Sequence, residues 1–140
     1  MSDSMDWGAI NAPFIENFRE GTADDAYEAW GQPILLLTTT GAKSGKPRVN
    51  PLVSLVEGDR VYVIASKGGS PSHPDWYYNI RANPEVTVEL PDETFTARAV
   101  DVDDAERDRL YGIIANRFSN FAEYAQKTDR KIPVVELVRT

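Results

Sequence analysis

From Pro33 onward the chain is written in short β-rich runs separated by turn signals, in an order that leaves no regular alternation of strand and helix. Ile34–Thr40 is leucine-rich and then threonine-rich and reads as a buried strand, and Gly41–Pro47 reads as a turn. Arg48–Val56 gives a second strand, with Pro51 marking a bend or an edge, and Glu57-Gly58-Asp59 a hairpin turn. Val61–Ser66 is a third strand, followed by a Gly/Ser/Pro loop at Lys67–Ser72. A helix is expected from about Pro74 to Asn83, with Asp75 in its first turn and Arg81, Asn83 and Pro84 suiting its end. Val86, Val88 and Leu90 alternate with polar residues in a fourth strand, and Pro91-Asp92 turns the chain into a fifth, Glu93–Val102.

Asp103 with Glu106 forms an N-cap pair, after which Leu110, Tyr111, Ile114 and Phe118 fall on one helix face. Asn120–Gln126 suits a short helix and Ile132–Val138 a last strand. Before Pro33, residues 1–12 read as a flexible arm, Phe14, Ile15 and Phe18 have helical spacing ended by Gly21, and 22–31 is a weak helix or a loop. Hairpin-like connections among about six strands favour an α+β fold, with a largely antiparallel sheet closing into a barrel and flanked by helices. The expected organisation is one domain over residues 13–140.

Composition removes whole classes of chemistry. No cysteine is present, so thiolate metal sites, iron–sulfur clusters and cysteine nucleophiles are excluded, and a single histidine, His73, cannot build a multi-histidine metal site. His73 reads as structural or exposed. No Gly-x-Ser-x-Gly elbow accompanies it, which disfavours a hydrolase. The longest apolar run is Ile34–Leu37, far below the roughly 20 residues of a transmembrane helix, and Asp3 and Asp6 precede the first basic residue, Arg19, unlike a signal peptide. The expectation is a cytoplasmic protein. A net charge of −7 argues against nucleic acid as a partner.

The distribution of charge says more than its sum. Asp and Glu number 22 in 140 residues, yet the window Ala29–Val56 holds none while carrying Lys43, Lys46 and Arg48. Arg60–Pro74 is also free of acids and adds Arg60 and Lys67. One reading is chance and a basic loop; the other is a pocket for an anionic ligand, kept clear of repelling carboxylates. Within Thr38–Arg48, Gly41 and Gly45 allow sharp turns and close backbone approach, and Lys43, Ser44, Lys46 and Arg48 supply anion-binding groups. A P-loop is excluded, because three residues rather than four separate the glycines and Pro47 follows Lys46. The second loop, with Lys67, Gly68 and Gly69, opens a helix N-terminus, where Trp76 and Tyr77 either flank a flat ring or pack a core.

Leu35-Leu36-Leu37-Thr38-Thr39-Thr40-Gly41-x-Lys43-Ser44-Gly45-x-Pro47-Arg48-Val49-Asn50-Pro51-Leu52 resembles the deazaflavin (F420)-dependent nitroreductase and quinone reductase family. So do Ala65-Ser66-Lys67-Gly68-Gly69 with Pro74-x-Trp76-Tyr77-x-Asn79-Ile80-x-Ala82-Asn83-Pro84, and Thr128-Asp129-Arg130-x-Ile132-Pro133. The resemblance covers about residues 33–138. It implies a split β-barrel of the flavin-reductase type and coenzyme F420, a deazaflavin with a phosphate and a polyanionic oligoglutamate tail.

The same resemblance assigns Lys43, Ser44 and Arg48 to the phosphate-bearing tail and makes Gly45 and Lys46 cofactor-binding as well. It lines the deazaflavin with Asn50, Pro51, Leu52, Val53, Ile64, Ala65, Ser66, Lys67 and Gly68, and closes another side with Asp75, Trp76, Tyr77 and Asn79. Trp76, Phe118, Phe121 and Tyr124 would hold the acceptor, and Ser66 or Tyr124 would be the catalytic proton source. The implied activity is hydride transfer from reduced F420 to a small-molecule acceptor such as a quinone, enone or nitroaromatic. Alternatives are an FMN-binding split-barrel reductase and a non-catalytic F420 carrier. Split barrels often pair, so a homodimer is an open expectation.

Overall fold

The computed structural model describes residues 34–66, 72–91, 93–128 and 130–140. The expectations for residues 1–33, including the arm and the two helical segments, lie outside the described residues, as do Lys67 and Gly68. Six strands close into an antiparallel barrel in the order β1-β2-β3-β6-β5-β4. They are β1 (Ile34–Thr40), β2 (Pro47–Glu57), β3 (Arg60–Ile64), β4 (Glu85–Glu89), β5 (Thr94–Asp101) and β6 (Val134–Arg139). Three helices are described: α1 (Asp75–Ala82), α2 (Asp104–Arg117) and α3 (Ser119–Lys127).

The long strand β2 is the corner of the barrel. Its first half, Pro47–Val53, pairs with β1, and its second half, Ser54–Glu57, pairs with β3. Pro51, opposite Leu36, lies before the β3 ladder begins, so its missing N–H breaks no bond on that side. The β2–β3 hairpin turns through Gly58, whose φ of 65° suits a residue without Cβ. Strand β3 ends at Ile64 rather than Ser66, although Ala65 N–H still donates to Pro133 O at 3.0 Å. Strand β6 starts after Pro133, which has no N–H to give a ladder.

Alternation along the strands makes two cores. Leu35, Leu37, Val61, Val63, Val86, Val88, Ala97, Val135 and Leu137 fill the barrel, together with Trp76, Tyr77 and Ile80 from α1. The opposite face of β2, β3 and β6 presents Leu55, Tyr62, Ile64 and Val134 to Leu110, Tyr111 and Ile114 of α2 and Phe121 of α3. Full burial of each such aliphatic or aromatic side chain stabilises by roughly 1.5–3 kcal/mol, so the helices are held mainly by their apolar faces. Asp103 caps α2 by accepting from Glu106 N–H at 2.9 Å. Phe118, extended at φ −132°, separates α2 from α3, and Tyr111 Oη donates to Phe121 O at 2.6 Å across the break. Helix α1 is tied to β5 by Tyr77 Oη, which donates to the Asp101 carboxylate at 2.9 Å.

Candidate active site

The basic turn is a closed, ordered loop. Gly41 N–H donates to Lys46 O at 2.8 Å and Gly45 N–H to Gly41 O at 2.9 Å, with Gly45 at φ 68°. Ser44 Oγ accepts from Lys46 N–H at 3.2 Å. A Cβ at position 41 would stand 2.5 Å from that same Oγ and 3.3 Å from Lys46 O, so a larger residue there would displace the Ser44 hydroxyl from its bond. From below, Asn79 on α1 accepts from Ala42 N–H at 3.0 Å and donates to Thr39 Oγ1 at 3.2 Å.

Lys43, Lys46 and Arg48 stand exposed on this loop and at the start of β2. No ion pair among the described residues involves them, whereas Arg81, Arg98, Arg107, Arg109, Lys131 and Arg139 each face a carboxylate. Three cations on one short hairpin, with no carboxylate paired to them among the described residues, make a ready receptor for a polyanion.

The expected ring-binding wall is divided by the pleat. Asn50 and Leu52 lie opposite Leu37 and Leu35 and face the barrel side, while Pro51 and Val53 lie opposite Leu36 and Ile34 and face outward. Ala65 belongs to the interior cluster, whereas Val53 and Ile64 join the outer cluster. Four consecutive residues of a strand therefore do not line one surface. Of the outward set, Val53 and Ile64 pack with Phe118, Phe121 and Tyr124 at the α2–α3 junction, and Pro51 is buried on the same side of β2. Arg48 stands five positions up β2 from Val53, about 16 Å at strand rise, and by the same pleat lies on the side of Asn50 and Leu52, at the exposed hairpin end of the strand.

Several expected contacts have other partners. Trp76 is only 4% exposed and packs inside the barrel, apart from Phe118, Phe121 and Tyr124, so it is not the acceptor-stacking ring expected of it. The helix buries the face on which Trp76 and Ile80 fall four apart. Tyr77 is equally buried, with its hydroxyl bonded to Asp101 and accepting from Arg81 Nη1 at 3.2 Å; burial first, then the Asp101 carboxylate, raises its pKa. Asn79 is committed at both ends of its amide to Thr39 and Ala42, so its described role is to brace the loop rather than to meet a ligand. Asp75 is exposed in the first turn of α1. Ser66 is half-buried, and Tyr124 Oη accepts from Asn120 Nδ2 at 3.2 Å, with the Tyr124 ring edge-on to Phe121 at 5.4 Å.

The residue that sequence reasoning left without a role is Arg130. Its guanidinium donates to Ala65 O at 3.0 Å, Ser66 O at 2.8 Å and His73 Nδ1 at 2.9 Å. These partners lie 57 to 65 positions away in sequence, where no local pattern points to them. Burial and the Arg130 charge hold the His73 pKa below its ordinary value, so the imidazole is a structural acceptor. Among the described residues no group of His, Asp or Glu side chains could hold a metal ion.

A closed antiparallel barrel with a helix-covered outer face and a cationic hairpin above it is the split β-barrel of flavin-reductase-like oxidoreductases. The chain belongs to the F420H(2)-dependent quinone reductase family, whose model matches residues 14–139. It is 43% identical over 113 residues to the F420H(2)-dependent quinone reductase Rv1261c of Mycobacterium tuberculosis, covering 76% of this chain and 74% of that one. It is 34% identical over 105 residues to the putative F420H(2)-dependent quinone reductase Rv3178 of the same species, covering 75% and 88%. A solved F420-H2 dependent reductase (FDR-A) superposes with a TM-score of 0.69 at 43% identity, covering 75% of this chain and 93% of the other.

A putative pyridoxamine 5′-phosphate oxidase from Listeria innocua shares the fold, with a TM-score of 0.57 at 17% identity over 82% of this chain and 91% of that one. The protein is accordingly an oxidoreductase whose cofactor is coenzyme F420. The described residues fit that group: three exposed cations and a serine hydroxyl suit its anionic tail, and an apolar face suits its ring.

Proposed function

We propose that this enzyme reduces a quinone, or a similar planar enone or nitroaromatic, on the outward face of β2 and β3 beside α3. The observation that carries this reading is that β2 leads from the exposed cations of the β1–β2 hairpin, which form no ion pair among the described residues, to Val53, which packs with Ile64, Phe118 and Tyr124. When bound, reduced F420 supplies a hydride, that is, two electrons and one proton's worth of hydrogen. Lys43, Lys46 and Arg48 hold the tail by charge and hydrogen bonding, with Lys67 as a fourth cation by sequence. Pro51, Val53 and Ile64 exclude water from the ring face, and the half-buried Phe118 and Tyr124 stack the acceptor over the buried Phe121. Conversion of a quinone to its quinol takes that hydride and one proton, for which the Ser66 and Tyr124 hydroxyls and solvent are the sources.

No helix among the described residues is long and apolar enough to cross a membrane. We place the enzyme in the cytoplasm as a single domain over residues 13–140, a span close to that of the family match. A homodimer is supported by a solved relative described as a domain-swapped dimer, 43% identical with a TM-score of 0.69 over 75% of this chain and 79% of that one. The test is single-turnover oxidation of reduced F420, followed by its optical change, with a panel of quinones, enones and nitroaromatics. Fastest turnover with quinones supports the reading. Tight F420 binding without turnover of any acceptor would make the protein a carrier instead.

A further inference from the structure

We propose that Arg130 is a positioning residue for the cofactor-facing end of β3, fixing Ala65 and Ser66 from behind through their carbonyls. The proposal rests on the reading that Ser66 borders the F420 site. Three observations on separate elements converge on it. First, carbonyls of successive residues in a strand point to opposite sides, so one guanidinium that reaches both Ala65 O and Ser66 O marks the place where the chain leaves the sheet. The β3–β6 ladder stops at Ile64, and from there the backbone of Ala65 is held entirely by the segment before β6: its N–H by Pro133 O, its carbonyl by Arg130. The exit direction of the chain, and with it the direction of the Ser66 side chain, is therefore set by a side chain rather than by sheet pairing.

Second, the backbone that carries the guanidinium is itself fixed. Arg130 N–H donates to Thr128 Oγ1 at 3.1 Å, closing a small turn after α3. Third, Arg130 also donates to His73 Nδ1, which lies on the return side of the same connection. The His73 ring is packed against Tyr77 at 4.7 Å and Tyr78 at 5.8 Å on α1. One planar fork thus ties the end of β3 at Ser66 to His73 before α1, using the rigid geometry that distinguishes arginine from lysine.

The clamp carries a built-in pH dependence. Arginine only donates, so Nδ1 of His73 must accept and the imidazole is neutral, with its proton on Nε2. The charged and titratable groups facing this ring are Arg130, Arg81 of α1 and Asp101 of β5, besides the Tyr77 and Tyr78 rings. Protonation would set an imidazolium against the guanidinium and remove its acceptor. Because the folded pKa lies below the ordinary 6.5, the clamp is intact at neutral pH and loosens as acid carries the solution through that lowered value.

The experiment measures F420 dissociation constants by fluorescence for wild type, Arg130→Ala, Arg130→Lys and His73→Asn, alongside thermal midpoints. Arg130→Ala is expected to raise the constant at least about tenfold, and millimolar guanidinium ion to restore much of it. Arg130→Lys, a point charge that cannot span two carbonyls, should recover less than half of the loss on a logarithmic scale. His73→Asn keeps an acceptor near Nδ1 without titrating, so the wild-type constant relative to this variant should grow as pH falls from about 7.5 to about 5. Taking that ratio cancels ionisation of the cofactor itself. Should Arg130→Ala fail to fold, the Arg130→Lys constant and the pH ratio decide. Variants that fold and bind within about twofold of wild type, or a ratio flat with pH, overturn the clamp while leaving the F420 reading intact. A wild-type protein that does not bind F420 overturns both.

Discussion

Asn79→Ala isolates the brace beneath the cationic loop. The wild-type amide accepts from Ala42 N–H at 3.0 Å and donates to Thr39 Oγ1 at 3.2 Å, and both Asn79 and Thr39 are buried. Each hydrogen bond contributes about 1 kcal/mol net, and leaving Thr39 Oγ1 without this donor adds a further share, so the loss should be about 2–3 kcal/mol. For a domain of this size that corresponds to a fall in thermal midpoint of roughly 6–12 °C. A freed loop must be re-ordered on binding, at a cost of about 1 kcal/mol, so the F420 dissociation constant should rise about fivefold. The assay is calorimetry on Asn79→Ala, Thr39→Val and the double variant, each followed by a fluorescence titration with F420. Since the two side chains share one bond, the double variant should lose less than the sum of the singles by at least about 0.5 kcal/mol. An unchanged midpoint, or strict additivity, would refute the brace; a normal F420 constant in a destabilised variant would refute its link to binding.

Further expectations follow from the helices and the surface charges. Tyr111→Phe removes the bond to Phe121 O at 2.6 Å across the α2–α3 break and should destabilise by about 1–2 kcal/mol, read by urea unfolding. Its acceptor-side effect should appear as a higher KM, because Phe121 and Tyr124 move with α3. The Arg109 guanidinium, hydrogen-bonded to Glu57 and Glu106, lowers both carboxylate pKa values below the ordinary 4.5. The sign is that of a depressed acid: this stabilisation is complete above pH 4.5 and is lost as pH falls through the lowered values. Arg109→Gln should therefore flatten the acid limb of midpoint against pH, and an acid limb identical to wild type would contradict the assignment.

Much of the barrel was legible because its signals are local. Six β-rich runs, the Glu57-Gly58-Asp59 turn and the Asp103 cap each act within a few residues, and all appear where the pattern placed them, with ends shifted by one or two positions. Pro51 marked the corner of β2 because a missing N–H is tolerated only where one neighbour is absent. The acid-free window falls on a hairpin where Lys43, Lys46 and Arg48 are exposed and form no ion pair among the described residues. What local pattern did not convey is sidedness. Asn50 to Val53 resemble a wall in one dimension, yet a period of two sends alternate members to opposite faces. Trp76 and Asn79 are near the site in sequence but turn inward, since α1 buries the face that carries them. Arg130 was invisible as a clamp because its partners belong to another strand end and to a histidine across the fold.

The grip of the hairpin on a polyanionic cofactor is tested most directly by titrating F420 into wild type and into Lys43→Ala/Arg48→Ala at low and physiological salt. Charge-assisted contacts contribute roughly 1.5–3 kcal/mol each, so the double variant should bind at least about tenfold more weakly and with a shallower dependence on salt. Equal affinity at physiological salt, with the same salt dependence, would contradict the account.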